Sequence, residues 1–162
     1  MKIVVKFGGS SLASAEQFKK VADIIHADPH RRFVVPSAPG KRFDGDTKVT
    51  DMLYACYDLA EADKDFDGAL ADIKARYDEI IEGLGLDLTL DKEFETIHEQ
   101  FRLKAGRNYA ASRGEYLNGI VLANYLGFEF VDAATVIRFD DAGNFEADRT
   151  DLILSSRLKD VE

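Results

Sequence analysis

Ile3-Val4-Val5-Lys6-Phe7-Gly8-Gly9-Ser10-Ser11 stands at the head of the chain, and its reading decides the fold. A β-branched run that ends on two glycines reads as a buried strand followed by a turn. Ser14 is placed to cap the next helix, in which Phe18, Val21, Ala22 and Ile25 recur at helical spacing on one face. Asp28-Pro29 stops that helix. Phe33-Val34-Val35 reads as a second strand broken by Pro36, and Ser37-Ala38-Pro39-Gly40 reads as a turn. Strand, glycine turn, helix, strand and turn make a βαβ unit, and such units build parallel sheets. The fold class is therefore α/β, a mostly parallel sheet with helices on both faces. Ligands of such sheets gather beyond the carboxyl ends of the strands, the edge at which both turns, 8–11 and 37–40, are expected to lie.

Further along, the periodicity is helical. Val49, Met52, Leu53, Cys56, Leu59 and Ala60 share one face, and Leu70, Ile73, Tyr77, Ile80, Ile81 and Leu84 share another, ended by Gly83 or Gly85. Residues 92–104 give a weaker, highly charged helical pattern. A stronger helix is expected from about Gly114-Glu115, with Leu117, Ile120 and Val121 inward and Gly127 as its stop. Phe128–Val131 reads as a strand, Asp140–Asn144 as a turn, and Asp148–Leu158 as a last helix. There is no internal repeat and no stretch of linker-like composition.

Composition narrows the function classes. The 162 residues include 12 Gly and 3 Pro and are 46% hydrophobic, which excludes collagen-like, low-complexity and disordered chains. A formal charge of −9 argues against nucleic acid as the partner. Residues 1–50, however, carry nine Lys or Arg against five Asp or Glu, so the glycine turns sit in a basic stretch of an acidic chain. The one cysteine, Cys56, can form no internal disulfide and reads as a small buried hydrophobe. The longest uncharged stretch, Tyr116–Phe128, is 13 residues and too short for a membrane span. Lys2 and Lys6 bracket too short an apolar run for a signal peptide. A soluble cytoplasmic protein is expected.

Several motifs fail when tested. Gly40-Lys41-Arg42 lacks the spacing and hydroxyl of a P-loop, and Gly83-Leu84-Gly85 lacks the third glycine of a dinucleotide fingerprint. His98-Glu99 has no second histidine four residues on, so no zinc-protease site is expected, and no metal ligand set is assigned. His26, His30 and His98 read as solvated surface residues.

Lys6–Ser11 carries chemistry more readily. A lysine at the end of a buried strand is costly unless its ammonium meets an anion or emerges at the sheet edge. Two glycines let the backbone approach a ligand closely and aim N–H groups at phosphate oxygens, and the helix start that follows favours negative charge. A phosphate-handling turn and an ordinary strand–turn–helix both fit these residues.

Lys6-Phe7-Gly8-Gly9-Ser10-Ser11 also resembles the opening signature of aspartate kinases, within the amino-acid kinase family, with Ser10 in place of a threonine. In order along the chain, Val34–Gly40 resembles that family's second-strand motif, with Pro36 where an aliphatic residue is usual. Thr50-Asp51-Met52-Leu53 resembles its Thr-Asn/Asp-x-Leu helix start. Ser112-Arg113-Gly114-Glu115 resembles its Ser-Phe-Gly-Glu element, with Arg113 in place of the aromatic.

The resemblance implies the N-terminal portion of an α/β/α sandwich of the amino-acid and carbamate kinase type. It implies ATP-dependent phosphorylation of the L-aspartate side-chain carboxylate to 4-phospho-L-aspartate, on the route to lysine, threonine and methionine, with Mg²⁺ accompanying the ATP. Lys6 would contact the transferring phosphoryl group as the catalytic residue, Gly8, Gly9, Ser10 and Ser11 would hold phosphate, and Ser37, Ala38, Thr50 and Glu115 would hold aspartate. These roles suit the chemistry, because phosphoryl transfer needs positioning and charge stabilisation more than covalent steps. Taken alone, Glu115 reads first as a carboxylate at a helix N-terminus, and Thr50 as an N-cap. The family's Gly-Arg-Gly-Gly-Ser-Asp and Thr-Asp-x-Asp motifs have no match in residues 116–162, nor do its ACT-type regulatory domains. Residues 1–162 are thus expected to be the amino-acid-binding part of a kinase domain, without turnover alone. Self-association through exposed apolar surface, or disorder within 85–110, is expected too. Other amino-acid kinases acting on glutamate, N-acetylglutamate or a nucleotide, and a non-catalytic binding module of the same fold, are the alternatives.

Overall fold

A computed structural model describes residues 2–159 and divides the chain into two units, Met1–Glu129 and Phe130–Glu162. In the first unit, β1 (Ile3–Phe7) leads through a 3₁₀ turn (Gly9–Leu12) into α1 (Ala15–His26), and β2 (Arg31–Pro36) returns parallel to β1. This is the βαβ unit that the apolar spacing dictates. The Ser14 hydroxyl accepts from the Gln17 amide at 3.4 Å, as an N-cap should, and Phe18, Val21, Ala22 and Ile25 are the buried residues of α1.

The register pairs Lys6 with Val35 and Phe7 with Pro36, so both strands deliver their turns to one edge. Among the described residues these two strands form the whole sheet. Val5, Phe7 and Val34 pack toward the core, while Val4 and Val35 stay exposed. Pro36 is accommodated because successive N–H groups of a strand point to opposite sides. The Ser37 N–H donates to Phe7 O at 3.0 Å, so the nitrogen of Pro36 faces away from β1 and no rung of the ladder is lost.

Four helices complete this unit: α2 (Val49–Glu61), α3 (Asp67–Gly83), α4 (Asp91–Arg102) and α5 (Arg107–Leu126). The core runs from Leu12 and Phe18 through Leu53, Tyr57, Ile73, Tyr77 and Ile97 to Phe101, Leu117 and Val121. Residues 85–110, expected to be the loosest part, hold α4, whose Phe94, Ile97 and Phe101 are buried in that core. The charges of α4 lie on its outer face and leave the apolar stripe intact.

α5 begins at Arg107, seven residues before the position expected from Gly114. Gly106, at φ 102°, opens it, and Gly127, at φ 68°, closes it in the left-handed conformation that glycine tolerates. Gly114 lies inside the helix because a Cβ there would come within 2.7 Å of Ala38 Cβ. Residues 128–131 are not a strand. Phe128 N–H is taken by Ala123 O at the helix end, and residues 128–131 adopt no regular secondary structure.

In the second unit, α6 (Ala133–Val136) is capped by the Asp132 side chain, and α7 (Ala147–Leu158) follows a short loop. That loop is the expected turn. Phe139 and Phe145 bridge in antiparallel fashion around it, and Asp140 Oδ1 accepts from the amides of Ala142 and Asn144.

Candidate functional site

The two turns are joined backbone to backbone. Gly40 N–H donates to Gly9 O at 2.8 Å, and a Cβ on Gly9 would lie 2.9 Å from Ala38 O. Glycine at both positions is required by this close approach. Gly8 differs: its φ is −77° and a Cβ there would meet nothing within 4 Å.

Around the joined turns lies a cleft of about 470 Å³. Gly9 and Ser10 line it from the first turn, Ser37, Ala38 and Gly40 from the second, Thr50 from α2 and Glu115 from α5. Lys41 and Lys48 stand at its rim. Lys6, Gly8 and Ser11 do not line it. Lys6 is exposed at the carboxyl end of β1 without an ion-pair partner among the described residues, and Ser11 N–H donates to Gly8 O at 3.1 Å. Six of the nine residues singled out in the sequence therefore share one cavity, although they come from four parts of the chain.

The plainer readings of Thr50 and Glu115 do not survive. Lys48, not Thr50, is the N-cap of α2, and Thr50 lies within its first turn. Glu115 sits in the third turn of α5, too far from the N-terminus for the helix dipole to account for it. Burial drives the phenol pKa of Tyr77 well above its ordinary value, and the nearby carboxylate of Glu115 adds to the rise. The Tyr77 hydroxyl donates to Gly114 O at 2.8 Å, anchoring the α5 segment that presents Glu115.

Arg113 lies elsewhere. Its guanidinium stacks between the rings of Tyr109 and Tyr116, 4.7 and 4.4 Å from their centroids, and lines a separate small crevice against α4. The unusual residue in the Ser-Arg-Gly-Glu element therefore takes no part in the cleft.

Two buried polar residues at the back of the site were not singled out from the sequence. Arg76, on α3, donates to Gly40 O at 3.0 Å and to Thr47 O at 3.2 Å, and pairs with Asp46 at 3.2 Å. Burial lowers the Arg76 pKa, yet a guanidinium remains charged at neutral pH. Hydrogen bonds from the Arg42 side chain, then its amide, hold the Asp46 carboxyl well below the usual carboxylate range. Asn118, fully buried on α5, donates to Ser37 O at 2.7 Å. The available signal was an arginine and an asparagine on the apolar faces of their helices, three residues after Ile73 and three before Val121. Among the described residues, no group of three or more His, Cys, Asp or Glu is placed to hold a metal ion.

Fold and cleft together define an α/β protein with a polar cavity beyond the carboxyl ends of a parallel sheet, where such folds take their ligands. The chain belongs to the amino acid kinase family, whose model matches residues 1–159. It is 64% identical over 53 residues to aspartokinase 3 of Bacillus subtilis (strain 168), an alignment covering 33% of this chain and 12% of that protein. The aspartate kinase crystal structure from Clostridium acetobutylicum superposes with a TM-score of 0.94 at 45% identity, over 99% of this chain and 37% of the other. Escherichia coli aspartokinase III, solved in complex with aspartate and ADP, shares the fold at a TM-score of 0.76 and 22% identity, over 98% of this chain and 38% of that one. The chain thus spans well under half the length of each of these relatives.

Proposed function

We propose that residues 1–162 are the amino-acid-binding side of an aspartate kinase. The observation that carries this reading is the convergence of Ser37, Ala38, Thr50 and Glu115 on the cleft that Gly9 and Ser10 also line. A carboxylate on one wall suits a substrate ammonium, while hydroxyls and backbone N–H groups suit a carboxylate. Lysines at the rim suit phosphate. The 45% identity to the Clostridium enzyme over nearly the whole chain supports aspartate over other acceptors, and aspartate with ADP in the Escherichia coli relative supports ATP as donor.

In the proposed reaction a side-chain carboxylate oxygen of L-aspartate forms a bond to the γ-phosphorus of ATP as the bond to the ADP oxygen breaks. No proton need move. Lys6 and the N–H groups of Gly8 and Gly9 would stabilise the charge on the transferring group, with Ser10 and Ser11 beside them. Thr50 and Glu115 would orient the amino acid. Mg²⁺ would arrive with the nucleotide and screen its phosphates. The remainder of the nucleotide site would come from parts of the enzyme outside these 162 residues, so this chain is expected to bind without turning over. A cytoplasmic setting is in keeping with a buried Cys56 that forms no disulfide; among the described residues no helix is long and apolar enough to cross a membrane.

Calorimetry on this chain tests the reading. L-aspartate is expected to bind, and Glu115→Gln and Thr50→Val are each expected to weaken it at least tenfold. Aspartate-dependent ATP hydrolysis by the isolated chain would contradict the proposed division of the active site. Unchanged affinity in both variants would contradict the aspartate-binding cleft.

A further inference from the structure

The Ser37–Gly40 turn is gripped from behind at two carbonyl oxygens, by Asn118 Nδ2 on Ser37 O and by Arg76 Nη2 on Gly40 O. Both side chains are buried, at 0% and 4% exposure, and each leaves one polar atom, Asn118 Oδ1 and Arg76 Nε, without a partner among the described residues. A buried guanidinium and a half-satisfied buried amide are costly ways to secure a surface turn. Their effect on the turn supplies a reason for them.

In a trans peptide the C=O of one residue and the N–H of the next point in opposite directions. Drawing Ser37 O toward α5 therefore turns the Ala38 N–H away from it, and drawing Gly40 O toward α3 does the same to the Lys41 N–H. The other amides of the stretch are occupied: Ser37 N–H by Phe7 O, Gly40 N–H by Gly9 O and Arg42 N–H by Asp46 Oδ2. Pro39 has none to offer. The Ala38 and Lys41 N–H groups alone in this stretch lack an acceptor among the described residues, and both residues line the cleft. Arg76 also holds Thr47 O and Asp46, so one guanidinium fixes both ends of the segment that carries Lys41 and leads to Lys48.

We infer that Arg76 and Asn118 are positioning residues that act through the Ser37–Gly40 turn, aiming the Ala38 and Lys41 N–H groups into the cleft as donors to an oxyanion. This inference rests on the functional reading above. The oxyanion is a phosphate or a carboxylate, and separate probes distinguish the two.

Amide spectra of the ¹⁵N-labelled chain are recorded during titration with sodium tripolyphosphate in one arm and L-aspartate in the other. The Ala38 and Lys41 amides are expected to shift to saturation with one probe, which identifies the oxyanion. Asn118→Ala and Arg76→Met are each expected to weaken that probe at least tenfold and to abolish the response of the amide that each residue positions. Arg76→Lys, which can still reach one carbonyl, should lose less than Arg76→Met. A purely structural role would lower the melting temperature while leaving these responses intact, and that result in folded variants overturns the inference. Should Arg76→Met not fold, Arg76→Lys and Asn118→Ala decide the question. If Ala38 and Lys41 stay silent in the parent chain while Glu115 responds to L-aspartate, this inference alone falls. If no amide responds to either probe, the functional reading falls with it.

Discussion

Gly40 N–H donates to Gly9 O at 2.8 Å, and this one bond joins the turn after β1 to the turn after β2. The chains approach so closely that a Cβ on Gly40 would lie 2.6 Å from Gly9 C and 2.8 Å from Ser10 N. Backbone cannot yield as a flexible side chain can. Gly40→Ala is therefore expected to part the turns, at a cost of about 3 kcal/mol in urea unfolding, and to abolish aspartate binding. Gly8→Ala is the contrasting case, since its Cβ would enter open space at an ordinary φ. It should change stability by less than about 1 kcal/mol yet weaken tripolyphosphate binding, if the glycine serves a ligand rather than the fold. Loss of stability in Gly8→Ala comparable to that in Gly40→Ala would remove this distinction.

The carboxylate of Asp46 links the loop after the second turn to α3, and it should make stability depend on pH. Arg42, first by its side chain and then by its amide, lowers the Asp46 pKa in the folded chain, with smaller help from the Thr47 amide and the Arg76 charge. The unfolded chain, at about 3.9, binds more protons at acid pH, so unfolding free energy must rise with pH there. The contribution is present in full above about pH 5, declines below the unfolded value of about 3.9, and is gone below the folded pKa. Asp46→Asn is expected to cost about 2 kcal/mol at pH 7, and the gap to the parent is expected to narrow progressively as pH falls below about 3.9. Urea titrations from pH 7 to pH 2 check this, and parallel pH curves for the two proteins would refute it.

Local pattern carried the sequence reading a long way, and its failures share a cause. The strands, α1 and the two turns were legible because each depends on neighbours within a few residues: Ser14 caps α1, and two apolar runs flank one helix. Placing the turns at one edge then followed from parallel topology alone. Phe128–Val131 has a strand's composition, but composition does not supply a neighbouring strand, and the Phe128 N–H is spent on Ala123 O at the end of α5. Gly114 resembled a helix start because its reason for being glycine, contact with Ala38, lies 76 residues away in sequence. Arg76 and Asn118 were missed for the same reason, since their acceptors are 36 and 81 residues distant. The cleft residues recognised early are those with local motifs around them. The residues that hold the cleft from behind have none.

Cys56 offers a probe of the core's integrity. It is fully buried on α2, where burial, with the Asp67 charge adding to it, pushes the thiol pKa up to about 12. At pH 8 the thiolate is scarce and the sulfur has no path to solvent, so a disulfide reagent such as DTNB should label it only through unfolding. Labelling is expected to be undetectable in native buffer over minutes and complete in urea, with a rate that follows the unfolding transition. Rapid stoichiometric labelling of the native chain would show that α2 opens locally beside Thr50.

Arg113 tests whether the chain's departure at the Ser-Arg-Gly-Glu element touches function. Gly114 and Glu115 face Ala38 and the cleft, while the Arg113 guanidinium is held between Tyr109 and Tyr116 and donates to the Ser112 hydroxyl at 3.1 Å. The stack anchors one turn of α5 to the next by cation–π attraction, worth about 0.5–1 kcal/mol for each ring at an exposed site. Arg113→Ala should therefore lower stability by about 1 kcal/mol and leave aspartate affinity at the parent value. Arg113→Phe should recover most of that stability, because an aromatic side chain can pack between the same two rings. Thermal unfolding and calorimetry on the two variants decide the matter. A tenfold loss of aspartate affinity in Arg113→Ala, with stability unchanged, would move Arg113 from the scaffold into the site.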